Sequence, residues 1–277
     1  MSPRDLTLPK LTATRYVTPL KEGGSLPAVV DTAEDGQWVV KFKGAGQGPK
    51  ALVAEIVVGL LARAIGLPMP DIALVDLDPA FGRTEKDPEI QDILAGSHGL
   101  NVGLRYLEGA FNLDPNAAHD LVPEPLPSAL VWLDALVMNP DRTHRNPNIL
   151  VWNRKPFLID HGAALYFHHD WSRTTPEKAT APFAQVVDHV LLEGAATLKE
   201  ADPGLADLLA PQVLDGILAA VPDALLVSPD GEADELRRRY VDFLTRRLGA
   251  PRPWVVHAAA AHQEATESAP QRLQARR

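Results

Sequence analysis

Three oxygen-bearing side chains in one short stretch offer the first chemistry. Asp141 and Asn146 stand in Asn139-Pro-Asp141-Arg-Thr-His-Arg-Asn146-Pro-Asn148, and Asp160 ends an apolar run just before His161-Gly162. One carboxylate to meet an attacking hydroxyl, with an amide oxygen and a second carboxylate to hold Mg2+ against phosphates, is the apparatus of phosphoryl transfer. Mg2+ demands hard oxygen ligands in a tight octahedron, which these groups supply. Residues 148–152 and 156–159 read as two short strands hinged at Asn153-Arg154, a hairpin that would bring the loop back beside the strand end. Taken singly, each of Asn139-Pro140-Asp141, Asn146-Pro147 and Asp160-His161-Gly162 also reads as an ordinary turn.

A second pair lies upstream. Residues 51–65 are almost continuously apolar and are closed by Gly66, Pro68 and Pro70, so a largely buried helix is expected there. Glu55 stands among Val53, Ala54, Ile56 and Val57, and an ionised carboxylate in a dry interior costs several kcal/mol unless a cation meets it. With Lys43 as its rival on the same strand, Lys41 is an upstream candidate. It sits on a strand expected over 37–43, on the face of Val39 and Lys43, with Trp38, Val40 and Phe42 on the other.

The stretch Trp38-Val-Val-Lys41-Phe-Lys-Gly-Ala-Gly-Gln-Gly-Pro-Lys-Ala-Leu-Val-Ala-Glu55, together with residues 141–162, resembles the HipA-like kinases. That family shares a two-lobed, protein-kinase-like fold with the phosphatidylinositol kinases. The likeness extends more weakly over residues 16–171 and fades in the C-terminal helices. It implies that Lys41 contacts nucleotide phosphates and pairs with Glu55, that Asp141 is the catalytic carboxylate, and that Asn146 and Asp160 bind Mg2+. The substrate would be ATP, and the acceptor a hydroxyl, Ser or Thr of a protein. Gly23, Gly24 and Ser25 stand where a phosphate-covering loop would lie, and the backbone near Tyr106 and Leu107 where the adenine edge would be met. The chain departs from the better-known protein kinases: no His-Arg-Asp precedes the loop, Asp160 is followed by His-Gly, and no Ala-Pro-Glu closes an activation segment.

Other readings are weighed against this one. His144, His161, His168 and His169 near Asp141, Asp160 and Asp170 could form a metal site of a hydrolase, though no helical ligand pair such as H-E-x-x-H occurs. The glycines at 44, 46 and 48 do not make a Walker A motif, because Pro49 separates Gly48 from a lysine that Ala follows. An anion-binding or lid loop stays open for that segment. A nucleotide-binding regulator without transfer, and a lipid or small-molecule kinase, are the remaining alternatives.

The elements needed to position these residues divide in character along the chain. Residues 14–20, 28–32, 37–43, 72–77 and 100–107 read as strands around one helix, with a polar excursion over 79–96. Residues 126–138, 183–192, 213–221 and 233–248 have helical periodicity. The expected architecture is α+β and two-lobed, with a small β-rich nucleotide-binding lobe over 1–109 and a mainly helical catalytic lobe over 110–250. A C-terminal tail over 251–277, partly disordered, would follow. At 277 residues, 45% hydrophobic and 23% charged, the chain is globular. Its formal charge of −9 gives no general affinity for nucleic acid or an anionic membrane, and the absence of cysteine removes thiolate metal sites and cysteine nucleophiles. The N-terminus carries no apolar targeting segment, and the sequence reads as a cytoplasmic protein.

Overall fold

The structure, a computed structural model, describes residues 6–20, 26–46, 48–83 and 85–275. Five strands close a barrel. β1 (Lys10–Pro19), β2 (Ala28–Thr32) and β3 (Gln37–Lys41) follow as antiparallel neighbours. The β2–β3 turn passes through Gly36, whose φ of 58° is the left-handed backbone that glycine adopts without a Cβ penalty. α1 (Pro49–Ala64) precedes β4 (Ile72–Leu77), and α2 (Pro88–Ala95) precedes β5 (Gly99–Arg105). β5 inserts between β3 and β4, antiparallel to both, and β4 closes the ring parallel to β1.

The two-residue period of a strand decides what each face of β3 can do. Trp38 and Val40 join Ala28, Val30, Ala73 and Val75 in one buried cluster, against which α2 packs Leu94, Ile90 and Ile93. Val39 and Lys41 take the opposite face. On that side Val102 and Leu104 of β5 belong to a second core shared with α1. α1 is apolar nearly all round because it is covered on every side: it lies against β5 and also meets the helices that follow.

The rest of the described chain is mainly helical. β6 (Phe111–Asn112), β7 (Ile149–Trp152) and β8 (Lys155–Leu158) form a small antiparallel sheet. Between β6 and β7 lie α3 (Ala118–Leu121) and α4 (Leu126–Val137). After β8 come α5 (Pro176–Thr180), α6 (Leu198–Asp207), α7 (Pro211–Ala219), α8 (Ala233–Leu248) and α9 (Pro253–Ala275). One hydrophobic core runs from α1 through α4 to α7, α8 and α9.

Three segments differ from the sequence expectation. Within the polar excursion, Asp87 caps α2 by accepting from Glu89 N at 2.9 Å, and Leu94 is buried against the barrel cluster. The expected helix over 183–192 is instead two 3-10 turns, Ala184–Asp188 and Leu192–Gly194. The expected tail is α9, which continues through the predicted frayed stretch and buries Trp254, Val255, Ala258 and Ala261 in the main core.

Candidate active site

Lys41, at the end of β3, is presented toward α1 by strand alternation, and Glu55 lies two turns into that helix. The Lys41 ammonium bonds Glu55 Oε1 and, at 2.7 Å, Asp160 Oδ1, residues 14 and 119 positions away. Glu55 Oε1 also accepts the His161 backbone N–H at 2.8 Å. One buried carboxylate thus joins the barrel strand, α1 and the segment after β8. Burial alone would drive the ammonium toward neutrality, but the two facing carboxylates outweigh it and hold the Lys41 pKa above its ordinary value. Burial raises Asp160, and Lys41 outweighs it, so its pKa lies below the usual range and the carboxylate is ionised. The Asp160 side chain stays 39% exposed, so it is open to a ligand while anchored. Its φ of 54° is left-handed, a conformation that for a non-glycine residue is found mostly where the surroundings enforce it. Lys43, the rival cation, has left the strand; its backbone N–H bonds Asn101 Oδ1 at 2.9 Å and its Nζ lies beside Gly99.

Asp141 is built from α4 outward. The helix ends at Met138 in the left-handed region, and Asn139-Pro140 turns the chain out, since proline disfavours helix at the residue before it. Asn139 Oδ1 accepts the Asp141 N–H at 3.1 Å, while its Nδ2 donates to the fully buried Asp134 at 3.0 Å. Asp134 also accepts from Arg142 Nε at 2.5 Å and from His189 Nε2 at 3.0 Å. Burial opposes ionisation of Asp134, but Arg142 and His189 outweigh it and hold the carboxyl far below the usual range. His189 Nδ1 accepts from Leu191 N, which fixes the proton on Nε2, and burial lowers its pKa so that the ring is neutral. On this base the Asp141 carboxylate stands half-buried. Its Oδ2 accepts from Asn146 Nδ2 at 2.9 Å and from Asn148 Nδ2 at 3.2 Å.

Arg142 joins the two halves of the site. Its guanidinium donates to the carbonyls of Asn148 and Ile159 and meets His161 Nδ1 at 3.1 Å. His161 therefore accepts at Nδ1 and is kept neutral, with burial and then Arg142 bringing its pKa down to about 3. The Ile159 N–H bonds the Asn148 carbonyl at 3.1 Å. The structure thus joins Lys41, Glu55 and Asp160 directly, joins Asp141 to Asn146 directly, and ties the two groups through Arg142, Asn148 and Ile159. Asn146 and Asp160 offer an amide and a carboxylate oxygen, the hard donor set that fits Mg2+ completed by phosphate and water.

Other expected positions fare differently. Gly23, Gly24 and Ser25 lie outside the described residues. Tyr106 lies past the far end of β3 from Lys41, and its N–H donates to Gln37 O at 3.0 Å, so that donor is already engaged; the Leu107 carbonyl accepts from Ala110 at 3.1 Å. The glycine-rich loop after β3 is pinned rather than open: Gly44 N bonds Ser97 Oγ at 3.0 Å, and the amides of Ala45 and Gly48 bond within the loop. The histidine hydrolase reading fails, because among the described residues no three of His, Cys, Asp and Glu cluster as metal ligands. His168 instead bonds Tyr240 at 2.8 Å. A cavity of about 550 Å3 lies between residues 171–179 and α8 and touches none of Lys41, Glu55, Asp141 or Asp160. Arg142, Asp134 and Asn148 are site residues that sequence reasoning passed over. The one available signal was the density of polar groups after an otherwise apolar helix.

The comparisons with known proteins bear on this geometry. A family model described as HipA-like kinase matches residues 15–245. Among solved structures, the proinflammatory kinase CtkA of Helicobacter pylori has a TM-score of 0.49 at 11% identity, covering 94% of this chain and 98% of that one. The Fam20 protein of hydra, solved with sugar, gives 0.46 at 11% identity, covering 95% and 87%. A Golgi casein kinase with Mn/ADP bound gives 0.40 at 12%, covering 87% and 73%. No curated protein matches.

Proposed function

This chain belongs to the HipA-like kinase family, and from that membership we propose that it transfers the γ-phosphoryl group of ATP, with Mg2+, to a hydroxyl of a protein Ser or Thr. The observation that carries the reading is Lys41, whose ammonium spans Glu55 and Asp160 across 119 positions of sequence. A structural ion pair needs one carboxylate. A lysine held between two, one of them solvent-accessible, supports the reading of Lys41 as the cation that meets the phosphates.

In this reading the acceptor oxygen attacks the γ-phosphorus as the bond to the β–γ bridging oxygen breaks, ADP departs, and the acceptor proton passes to Asp141. Asp141 orients the hydroxyl and takes that proton. Lys41 holds the phosphates, with Glu55 keeping its ammonium in place. Asn146 and Asp160 would hold Mg2+, which when bound neutralises charge on the phosphates.

The test uses purified protein, Mg2+, γ-labelled ATP and a cell lysate, followed by identification of the labelled band. Label should enter protein Ser or Thr. Asp141→Ala should lower transfer by about 10²–10⁴-fold while leaving the thermal stabilisation given by Mg-ADP intact. Nucleotide binding with no transfer to any acceptor would make the protein a regulator, and label found only in lipid or small molecules would overturn the protein acceptor.

A further inference from the structure

Asn148 is buried at 8% exposure beside Asp141, and no part of the mechanism above uses it. It stands one residue before β7. Because Ile149 pairs with Leu158, Asn148 is the neighbour of Ile159 and so of the backbone entering Asp160. Its carbonyl accepts both the Ile159 N–H, at 3.1 Å, and Arg142 Nη1. Its side chain reaches the other way: Nδ2 donates to Asp141 Oδ2 at 3.2 Å. Its φ of 49° is a left-handed conformation that asparagine tolerates better than most residues.

We infer that Asn148 is a positioning residue of the phosphoryl-transfer site: it fixes the rotation of the Asp141 carboxylate and locks that group to the strand that delivers Asp160. This rests on Asp141 being the catalytic carboxylate. Two amides hold Oδ2, and among the described residues no donor reaches Asp141 Oδ1, which leaves that oxygen to take the acceptor proton. The two asparagines differ in burial. Both are anchored through the backbone carbonyl and donate Nδ2 to Asp141, but Asn146 is exposed on a turn, where its oxygen can meet a metal, whereas Asn148 is buried. Small errors in the placement of a catalytic group cost rate steeply, so a fixed second amide has a purpose that a solvated turn cannot serve.

The variant that isolates this role is Asn148→Gly, since glycine accepts the φ of 49° and removes only the amide. With the acceptor that the labelling experiment identifies, kcat should fall about 10–100-fold, while KM for ATP and the Mg2+ dependence of ADP binding, measured by calorimetry, stay within twofold. Asn146→Ala should instead weaken Mg2+-dependent ADP binding at least tenfold. Asn148→Asp keeps the size of the side chain but removes the donor; if packing alone mattered it would restore kcat, and here it should not. In the free protein, the Asn148 side-chain amide should show a downfield proton by NMR that Asp141→Ala abolishes. The proposal falls if Asn148→Gly or Asn148→Asp turns over within twofold of wild type, if Asn148→Gly impairs Mg2+-dependent ADP binding as Asn146→Ala does, or if the amide resonance ignores Asp141→Ala. Failure of the underlying reading looks different: Asp141→Ala would then transfer at the wild-type rate, whatever the amide resonance does.

Discussion

A side chain's chemistry here depends on what meets its second atom. His189 is neutral because burial outweighs the pull of the Asp134 carboxylate at Nε2 while Leu191 N donates to Nδ1, and His161 because burial and then Arg142 at its Nδ1 disfavour the imidazolium. His168 is buried against Tyr240 and is likewise held well below its ordinary pKa, burial being the main cause in all three. In an unfolded chain these imidazoles titrate near 6.5. The folded state takes up their protons only at lower pH, so their contribution to stability is complete above about 6.5 and is lost as the pH falls below it. Between pH 7 and 5 the loss should be about 2 kcal/mol for His161, whose folded pKa is brought down to about 3. Thermal melts should therefore show a melting temperature that drops by several degrees over that range, with a shallower slope in His168→Gln. A flat profile would mean that these rings are protonated in the folded protein.

At the scale of elements, α1 and the loop before it decide how the barrel meets the rest of the molecule. The expectation of a buried helix rested on a run of apolar residues with one carboxylate inside it, and that pattern is robust because every face of α1 is covered. The loop at 43–48 was less legible. Its glycines suggest an open anion-binding turn, but Gly44 is there because nothing larger fits: a Cβ would stand 2.6 Å from Ile93 O and 2.8 Å from Ser97 Oγ. Gly44→Ala should push α2 off the loop and cost about 1–3 kcal/mol, read as a lower urea midpoint with an unchanged slope. An unaffected midpoint would show that the loop does not rest on α2. The excursion over 79–96 hid its helix for a related reason. α2 is short and mostly exposed, so its pattern is dominated by polar residues, and only Leu94 of it is buried.

Over the whole molecule, one core ties α1 to α9, and the last helix is integral to it. Trp254 packs edge-on to Trp132 at 5.3 Å and donates to Arg247 O at 2.9 Å, while Arg247, itself buried, binds the carbonyls of Ala135 and Leu136 at the end of α4. A chain ending at residue 252 should lose more than the ~3–5 kcal/mol of deleting one buried tryptophan, and should unfold at markedly lower urea or be recovered insoluble. Equal stability would make α9 an accessory. Taken alone, the sequence determined most of the barrel strands, the buried α1 and α4, and the need of Glu55 for a cation from the preceding strand, because each follows from local periodicity or from the cost of burying a charge within a few turns of chain; the preference for Lys41 over Lys43 came only from the family resemblance. It also determined the spacing of Asp141 and Asn146. Only the tertiary structure decided that Lys41 reaches Asp160, that Arg142 and Asn148 bind the two halves of the site together, and that the C-terminal segment is a packed helix. Those contacts join residues far apart in the chain, and their free energy comes from shared burial and fixed hydrogen-bond partners that no single stretch of sequence contains.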